Sequence, residues 1–85
     1  MKYDVVFYYD YKTNLKFVLL VLMKVFGYPS LAALDKANRI ESLDKAVVAT
    51  YDNCAVARAK AKTVKDLAKK FGFPLEVTIQ TTEDE

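Results

Sequence analysis

Histidine is absent from this 85-residue sequence. That removes the usual general base, the commonest metal ligand and the usual switch near neutral pH. Cysteine occurs once, as Cys54, so no internal disulfide framework exists and a reducing compartment fits. Without a histidine beside it, Cys54 lacks the base a nucleophile needs, and it reads as a small half-buried residue at a helix start. Glycine and proline occur twice each, too few for a glycine-rich phosphate loop or a long disordered linker. The longest apolar run, Phe17–Met23, falls far short of the ~20 residues that span a bilayer. The opening Met1-Lys2-Tyr3-Asp4-Val5 lacks the apolar core of a signal peptide. The only carboxylate cluster, Glu83-Asp84-Glu85, reads as a solvating tail, not a metal site. No catalytic residue, metal or cofactor is expected, and no membrane contact. The expectation is a cytoplasmic binding protein, not an enzyme.

What is present suits one small domain. Hydrophobic residues make up 53% and charged residues 28%, the ordinary balance of a globular chain. A chain of this length buries roughly 60–65% of its unfolded surface, enough to fold alone with a modest margin. The expected division is a domain over residues 1–80 and an acidic, flexible tail over 81–85. The net charge of +2 is too small to imply nucleic acid by itself.

Residues Tyr3–Tyr9 read as a strand, closed by Asp10. Thr13 stands where a helix N-cap should, ahead of an apolar face made by Leu15, Val18, Leu19, Leu22 and Phe26. Gly27 ends that helix. Pro29 or Ser30 opens a second one, with Leu31, Leu34, Ala37, Ile40 and Glu41 on one face. Leu43-Asp44 reads as a loop. Ala46–Tyr51 is a β-branched, apolar run expected to be buried on both faces. Asp52-Asn53 reads as a turn. A third helix over Cys54–Phe71 has Ala57, Ala61, Val64, Leu67, Ala68 and Phe71 as its inner stripe, and Gly72 stops it. From Leu75 onward, apolar and polar residues alternate as in a half-buried strand. The expected fold is a two-layer α/β (α+β) sandwich of order β-α-α-β-α-β, with helices on one face of a three-stranded sheet.

Two constellations bear on function. Arg58, Lys60, Lys62, Lys65, Lys69 and Lys70 all lie on the third helix. A solvated lysine face is the favoured reading, and an RNA- or ribosome-associated module tracking phosphates is the alternative. The second constellation joins Asp10, at the end of the first strand, to Ala37, Ile40 and Glu41, neighbours on the second helix. With Leu15 they would make a small apolar hollow with a carboxylate rim, suited to a cationic amine bearing an apolar neighbour, such as a peptide N-terminus.

Tyr9-Asp10-Tyr11-Lys12-Thr13-Asn14-Leu15-Lys16-Phe17-Val18 resembles the Asn-Asp-Asp-x-Thr-Pro-Met-x-Phe-Val motif of the ClpS adaptor family. Asp10, Thr13, Phe17 and Val18 match outright. Val21-Leu22 and Val25-Phe26-Gly27, Ala46–Tyr51, Ala57-Arg58-Ala59-Lys60 and Phe73–Thr78 resemble later family motifs in the same order. The C-terminal domain of the bacterial ribosomal stalk protein has a related layout, but its glycine- and lysine-rich helix motifs are missing here. The ClpS resemblance implies an adaptor that docks on the N-terminal domain of a Clp ATPase and presents substrates to the Clp protease for degradation. It also implies a pocket for bulky N-terminal residues, the N-degron. The family's amine-binding Asn, Asp and His fall at Tyr9, Asp10 and Glu41. The family's pocket methionine and valine on the second helix fall at Ala37 and Ile40. The resemblance therefore implies a peptide site of Tyr9, Asp10, Thr13, Leu15, Ala37, Ile40 and Glu41, with altered or lost specificity. A family docking lysine falls at Lys60, while a docking glutamate is replaced by Ala55. The family's N-terminal extension has no counterpart before the first strand, so docking without delivery, as a competitor, is a further expectation. Tyr9 filling the hollow is the expected competing arrangement.

Overall fold

The computed structural model describes residues 1–82. The elements run β1 (Lys2–Tyr8), α1 (Leu15–Lys24), α2 (Ser30–Leu43), β2 (Lys45–Tyr51), α3 (Cys54–Phe71) and β3 (Glu76–Thr82). The order is the expected one. The three strands form a single sheet in the order β2-β1-β3, antiparallel throughout. The acidic cluster 83–85 lies outside the described residues. β3 runs through Thr82, two residues into the segment expected to be tail.

β1 is the central strand, and its β-branched and aromatic residues suit a pleated, paired backbone. Val5 and Phe7 are completely buried in the core cluster beneath the helices. Val6 points the other way, yet it is only 2% exposed, between its register partners Val47 and Thr78. The strand ends at Tyr8 and not at Tyr9.

β2 corrects the expectation of a strand buried on both faces. Only Val48 is buried, and Val47 is exposed. β2 is an edge strand of a sheet covered on one side, and a run of apolar residues does not by itself distinguish that from a central strand. The register passes from Val5↔Ala49 to Val6↔Val47, which leaves Val48 as a bulge. Its carbonyl accepts a hydrogen bond from the Tyr28 hydroxyl.

The helix caps explain several boundaries. Asn14, not Thr13, caps α1, its side chain accepting from the Lys16 N–H at 2.8 Å. The buried face of α1 is Phe17, Val18, Val21 and Leu22, rotated from the expected one, while Leu15, Leu19 and Phe26 are half-buried. The helix gives way at Val25, before Gly27, and Gly27 takes φ +73° in the turn that follows. The Lys60 ammonium on α3 donates to the Val25 carbonyl at 3.0 Å, a cation on the negative end of α1.

On α2 the buried residues are Ala33, Ala37 and Ile40, while Leu31, Leu34 and Glu41 are exposed. The two leucines had suggested a different face. Small Ala33 and Ala37 are what let the helix backbone come close to its neighbours. α2 continues through Leu43, and Asp44 alone, in the left-handed region at φ 67°, turns the chain into β2. Aspartate tolerates that conformation better than most residues.

Asn53 caps α3 by accepting from the Ala55 and Val56 N–H groups. Gly72 ends it at φ +77°, with Gly72 N–H bonded to the Lys69 carbonyl and Phe73 N–H to that of Ala68. That is the Schellman arrangement. Ala57, Ala61, Val64 and Ala68 are buried, Leu67 is half-buried, and Phe71 is 53% exposed. Phe71 ends the inner stripe but sits in the last turn, where the sheet no longer covers it. One side of its ring meets Phe17, with centroids 5.7 Å apart.

Tyr28 gives the fold a testable alkaline limit. Burial, and then the neighbouring Tyr51 phenol, raises its pKa above the ordinary 10.0. The folded state thus holds this proton more tightly than the unfolded chain does. Its contribution is fully present below the unfolded value and is lost as pH rises through the folded one. Tyr28→Phe should cost about 1 kcal/mol near neutral pH, because the Val48 carbonyl loses its donor. Its denaturant midpoint should also fall less steeply than the wild type's above pH ~10. Equal alkaline slopes would contradict this role.

Candidate functional site

The end of β1 and the turn after it build one wall of a hollow. Tyr9 N–H donates to the Asp44 carbonyl at 2.7 Å, pinning the strand end to the junction of α2 and β2. Asp10 organises the turn twice over. Its carboxylate Oδ1 accepts the Lys12 N–H at 2.8 Å, and its carbonyl accepts the Thr13 N–H at 2.9 Å. This is an Asx turn closed by a backbone turn, chemistry for which aspartate is favoured. One carboxylate oxygen is thereby fixed, and Oδ2 accepts no hydrogen bond from the described residues.

The opposite wall is apolar. Leu15 and Val18 come from α1, Ala37 and Ile40 from α2, and Leu75 from the approach to β3. With Tyr8, Tyr9, Asp10 and Thr13 they line a small hollow with room for about one water molecule, open on one side to solvent. Asp10 is the one carboxylate lining this space. Thr13 is 8% exposed, and its hydroxyl has no hydrogen-bond partner among the described residues.

Six of the seven residues singled out in the sequence thus meet at one hollow: Tyr9, Asp10, Thr13, Leu15, Ala37 and Ile40. Glu41 does not line it. The inward direction of α2 is set by Ala33, Ala37 and Ile40, which leaves Glu41 on the exposed flank. Two carboxylates do not share this site. Ala37 lines the hollow while being completely buried, and Tyr9 lines it while 40% exposed. Tyr8, Val18 and Leu75 complete the lining and had not been assigned to the site. Val18 had been read as core and Leu75 as the start of a strand. Neither reading conflicts with lining a hollow, because its apolar side is the outer margin of the core.

Lys60, expected to face a partner, is not part of this lining; it is half-buried, with its ammonium on the Val25 carbonyl. Arg58, Lys62, Lys65 and Lys69 are exposed along the outside of α3. Among the described residues no group of three or more His, Cys, Asp or Glu side chains could hold a metal ion. No described helix is long and apolar enough to cross a membrane.

A family model described as "ATP-dependent Clp protease adaptor protein ClpS" matches residues 1–78. The chain belongs to the ClpS family. A ClpS adapter protein of Desulforapulum autotrophicum is 35% identical over 82 residues, covering 92% of this chain and 74% of the relative. The solved structure of Agrobacterium tumefaciens ClpS2 bound to L-phenylalaninamide superposes with a TM-score of 0.88 at 32% identity. That match covers 93% of this chain and 94% of the other. The family resemblance read from the motifs is therefore correct, and so is the fold it implied. As a ClpS-family member the chain is an adaptor of the Clp protease system.

Proposed function

We propose that this ClpS-family adaptor holds the free N-terminus of a peptide in the hollow, with recognition altered from the family pattern, and docks on the N-terminal domain of a Clp ATPase. The observation that carries the peptide reading is the Asp10 carboxylate, fixed by its own turn at the edge of an apolar hollow. A peptide α-ammonium would take Oδ2 in a charge-assisted hydrogen bond, worth about 1.5–3 kcal/mol. The first side chain would lie against Leu15, Val18, Ala37, Ile40 and Leu75. Full burial of a Leu or Phe side chain contributes about 1.5–3 kcal/mol. The similar ClpS2 was solved with L-phenylalaninamide, a molecule that carries both a free amine and an apolar side chain.

The altered part lies in the amine contacts. Where the family motif has Asn, this chain has Tyr9, whose phenol cannot serve as an amide carbonyl. Where the family has His, it has Glu41, which stands on the exposed flank of α2. Amine recognition then rests on Asp10, and affinity for a free N-terminus is correspondingly modest.

A peptide beginning with Phe should bind measurably by calorimetry, and its N-acetylated form should not. Asp10→Asn should weaken binding by about 10-fold, the effect of losing roughly 1.4 kcal/mol. Equal binding of free and acetylated peptides would sink the reading.

Docking through the start of α3 rests on Lys60. An ammonium has three donors, and the Val25 carbonyl takes one, so the side chain is held in place with donors to spare. Lys60→Glu should reduce capture by a Clp ATPase N-terminal domain at least several-fold. Because Lys60 also caps α1, the melting temperature must be measured alongside. Undiminished capture by a folded variant would place docking elsewhere.

A further inference from the structure

The two outer edges of the sheet are not alike. The β2 edge is guarded: its register shifts at the Val48 bulge, the Val48 carbonyl accepts the Tyr28 hydroxyl, and Lys45 stands at its start. Bulges and edge lysines are devices that keep a sheet from pairing with another chain. β3 has neither. It pairs with β1 in an unbroken register from Lys2↔Thr82 to Tyr8↔Glu76. From Val77 to Thr82 it carries no charge, proline or glycine, and every residue except Gln80 is β-branched. Such a segment is well suited to pairing with a further strand. Its far edge pairs with no strand among the described residues.

The charge on α3 stands beside this edge. Six of the chain's 13 Lys and Arg residues lie on α3, with Asp66 as the helix's one carboxylate. At about 100° per residue, Arg58, Lys62, Lys65 and Lys69 fall within about 60° of one another around the helix. All four are exposed, and none has an ion pair among the described residues. Lys60 and Phe71 mark the opposite flank, which faces α1: Lys60 bonds the Val25 carbonyl and Phe71 meets Phe17. α2 packs over β2 and α1 packs on α2, while α3 packs mainly over β3 and β1. The flank of α3 turned away from α1 therefore overhangs the free edge of β3.

We propose that the free edge of β3 and the cationic flank of α3 form one docking surface, which takes an extended acidic segment of another protein as a fourth strand. The edge supplies backbone donors and acceptors, and the flank supplies charge for the side chains that point toward α3. Alternate residues of a strand lie about 6.8 Å apart on one face. The four cations are spaced about 4.5–6 Å along the helix axis, a difference that long, flexible lysine side chains absorb. The row is about 16 Å long, and the strand beneath it is about 20 Å. A nucleic acid would use the cations but has no amide ladder to offer the edge. A second copy of this chain would bring its own row of cations against this one, so like charge opposes pairing of β3 with β3. The surface does not include the hollow, and the proposal does not rest on the reading of that hollow.

The probe is a seven-residue peptide alternating Glu with Val, acetylated and amidated so that no free amine is present. Titrated into the full chain at low salt, it should shift the amides of Val77–Thr81 and slow their hydrogen exchange. Binding should weaken as salt is raised, because the paired charges are exposed. Lys62→Glu/Lys65→Glu should lose about 10-fold in affinity or more, the effect of reversing two exposed ion pairs. Its melting temperature should match the wild type's, since both side chains are exposed. A peptide with its central Val replaced by Pro should bind more weakly, and one with Lys in place of Glu should not bind. No binding, equal binding of the Glu and Lys peptides, or shifts that avoid β3 would overturn the proposal. Tighter binding of an oligothymidylate than of the Glu peptide would assign the row to a phosphate backbone instead. A chain that sediments alone as a dimer with its β3 amides already protected would assign the edge to a second copy. Either result also overturns it.

Discussion

β1 is hydrogen-bonded along both edges, to β2 through Tyr3↔Tyr51 to Tyr8↔Lys45 and to β3 through Lys2↔Thr82 to Tyr8↔Glu76. No other element is held on two sides by backbone pairing. Its alternating side chains bury Val5 and Phe7 under the helices, and its last residue delivers the chain to the rim of the hollow. The position of Asp10 follows from this strand. Tyr9 is tied to Asp44, Asp44 turns α2 into β2, and β2 pairs back on β1. The closed circuit of backbone bonds fixes the strand end relative to α2, so the two walls of the hollow cannot drift apart without breaking it.

The same circuit orients the rim of the proposed peptide site. Asp10 has one carboxylate oxygen engaged by Lys12 and its carbonyl engaged by Thr13, so the side chain is oriented before any ligand arrives. Preorganisation of this kind lowers the ordering cost of binding. The apolar wall belongs to helices whose inner faces are packed into the core, with Ala37 fully buried and Ile40 3% exposed. The contrast with α3 is sharp. Its outer lysines are exposed and carry no ion pair among the described residues, as solvated groups do.

Much of the fold was legible because local signals and tertiary structure agreed. Gly72 after an eighteen-residue helical pattern read as a stop, and it is one, with φ +77° and a Schellman bond pair. Leu75 and Val77 alternate with polar residues and are buried as that alternation implies. The failures share a cause. On α2, Leu31 and Leu34 carry a stronger hydrophobic signal than Ala33, yet close packing favoured the small residues and left the leucines outside. That rotation also carried Glu41 away from the site. On β2, composition reported a good strand but not its place at the edge of the sheet. Phe71 matched the period of α3, but period does not show where the sheet beneath a helix ends. The single-residue shift from Thr13 to Asn14 as cap is of the same kind, because both residues can cap and packing chose between them. It left the Thr13 hydroxyl free of the helix and buried, with no hydrogen-bond partner among the described residues.

The central claim is that the hollow between the β1 turn and helices α1 and α2 receives a free amine together with the side chain next to it. Backbone amide chemical-shift mapping during titration with L-phenylalaninamide tests this most directly. The expected result is saturable shifts concentrated at Tyr9–Thr13, at Leu15 and Val18, and at Ala37–Ile40, lost when the ligand's amine is acetylated. Shifts centred on the outer face of α3, or shifts at the hollow that persist with the acetylated ligand, would contradict it.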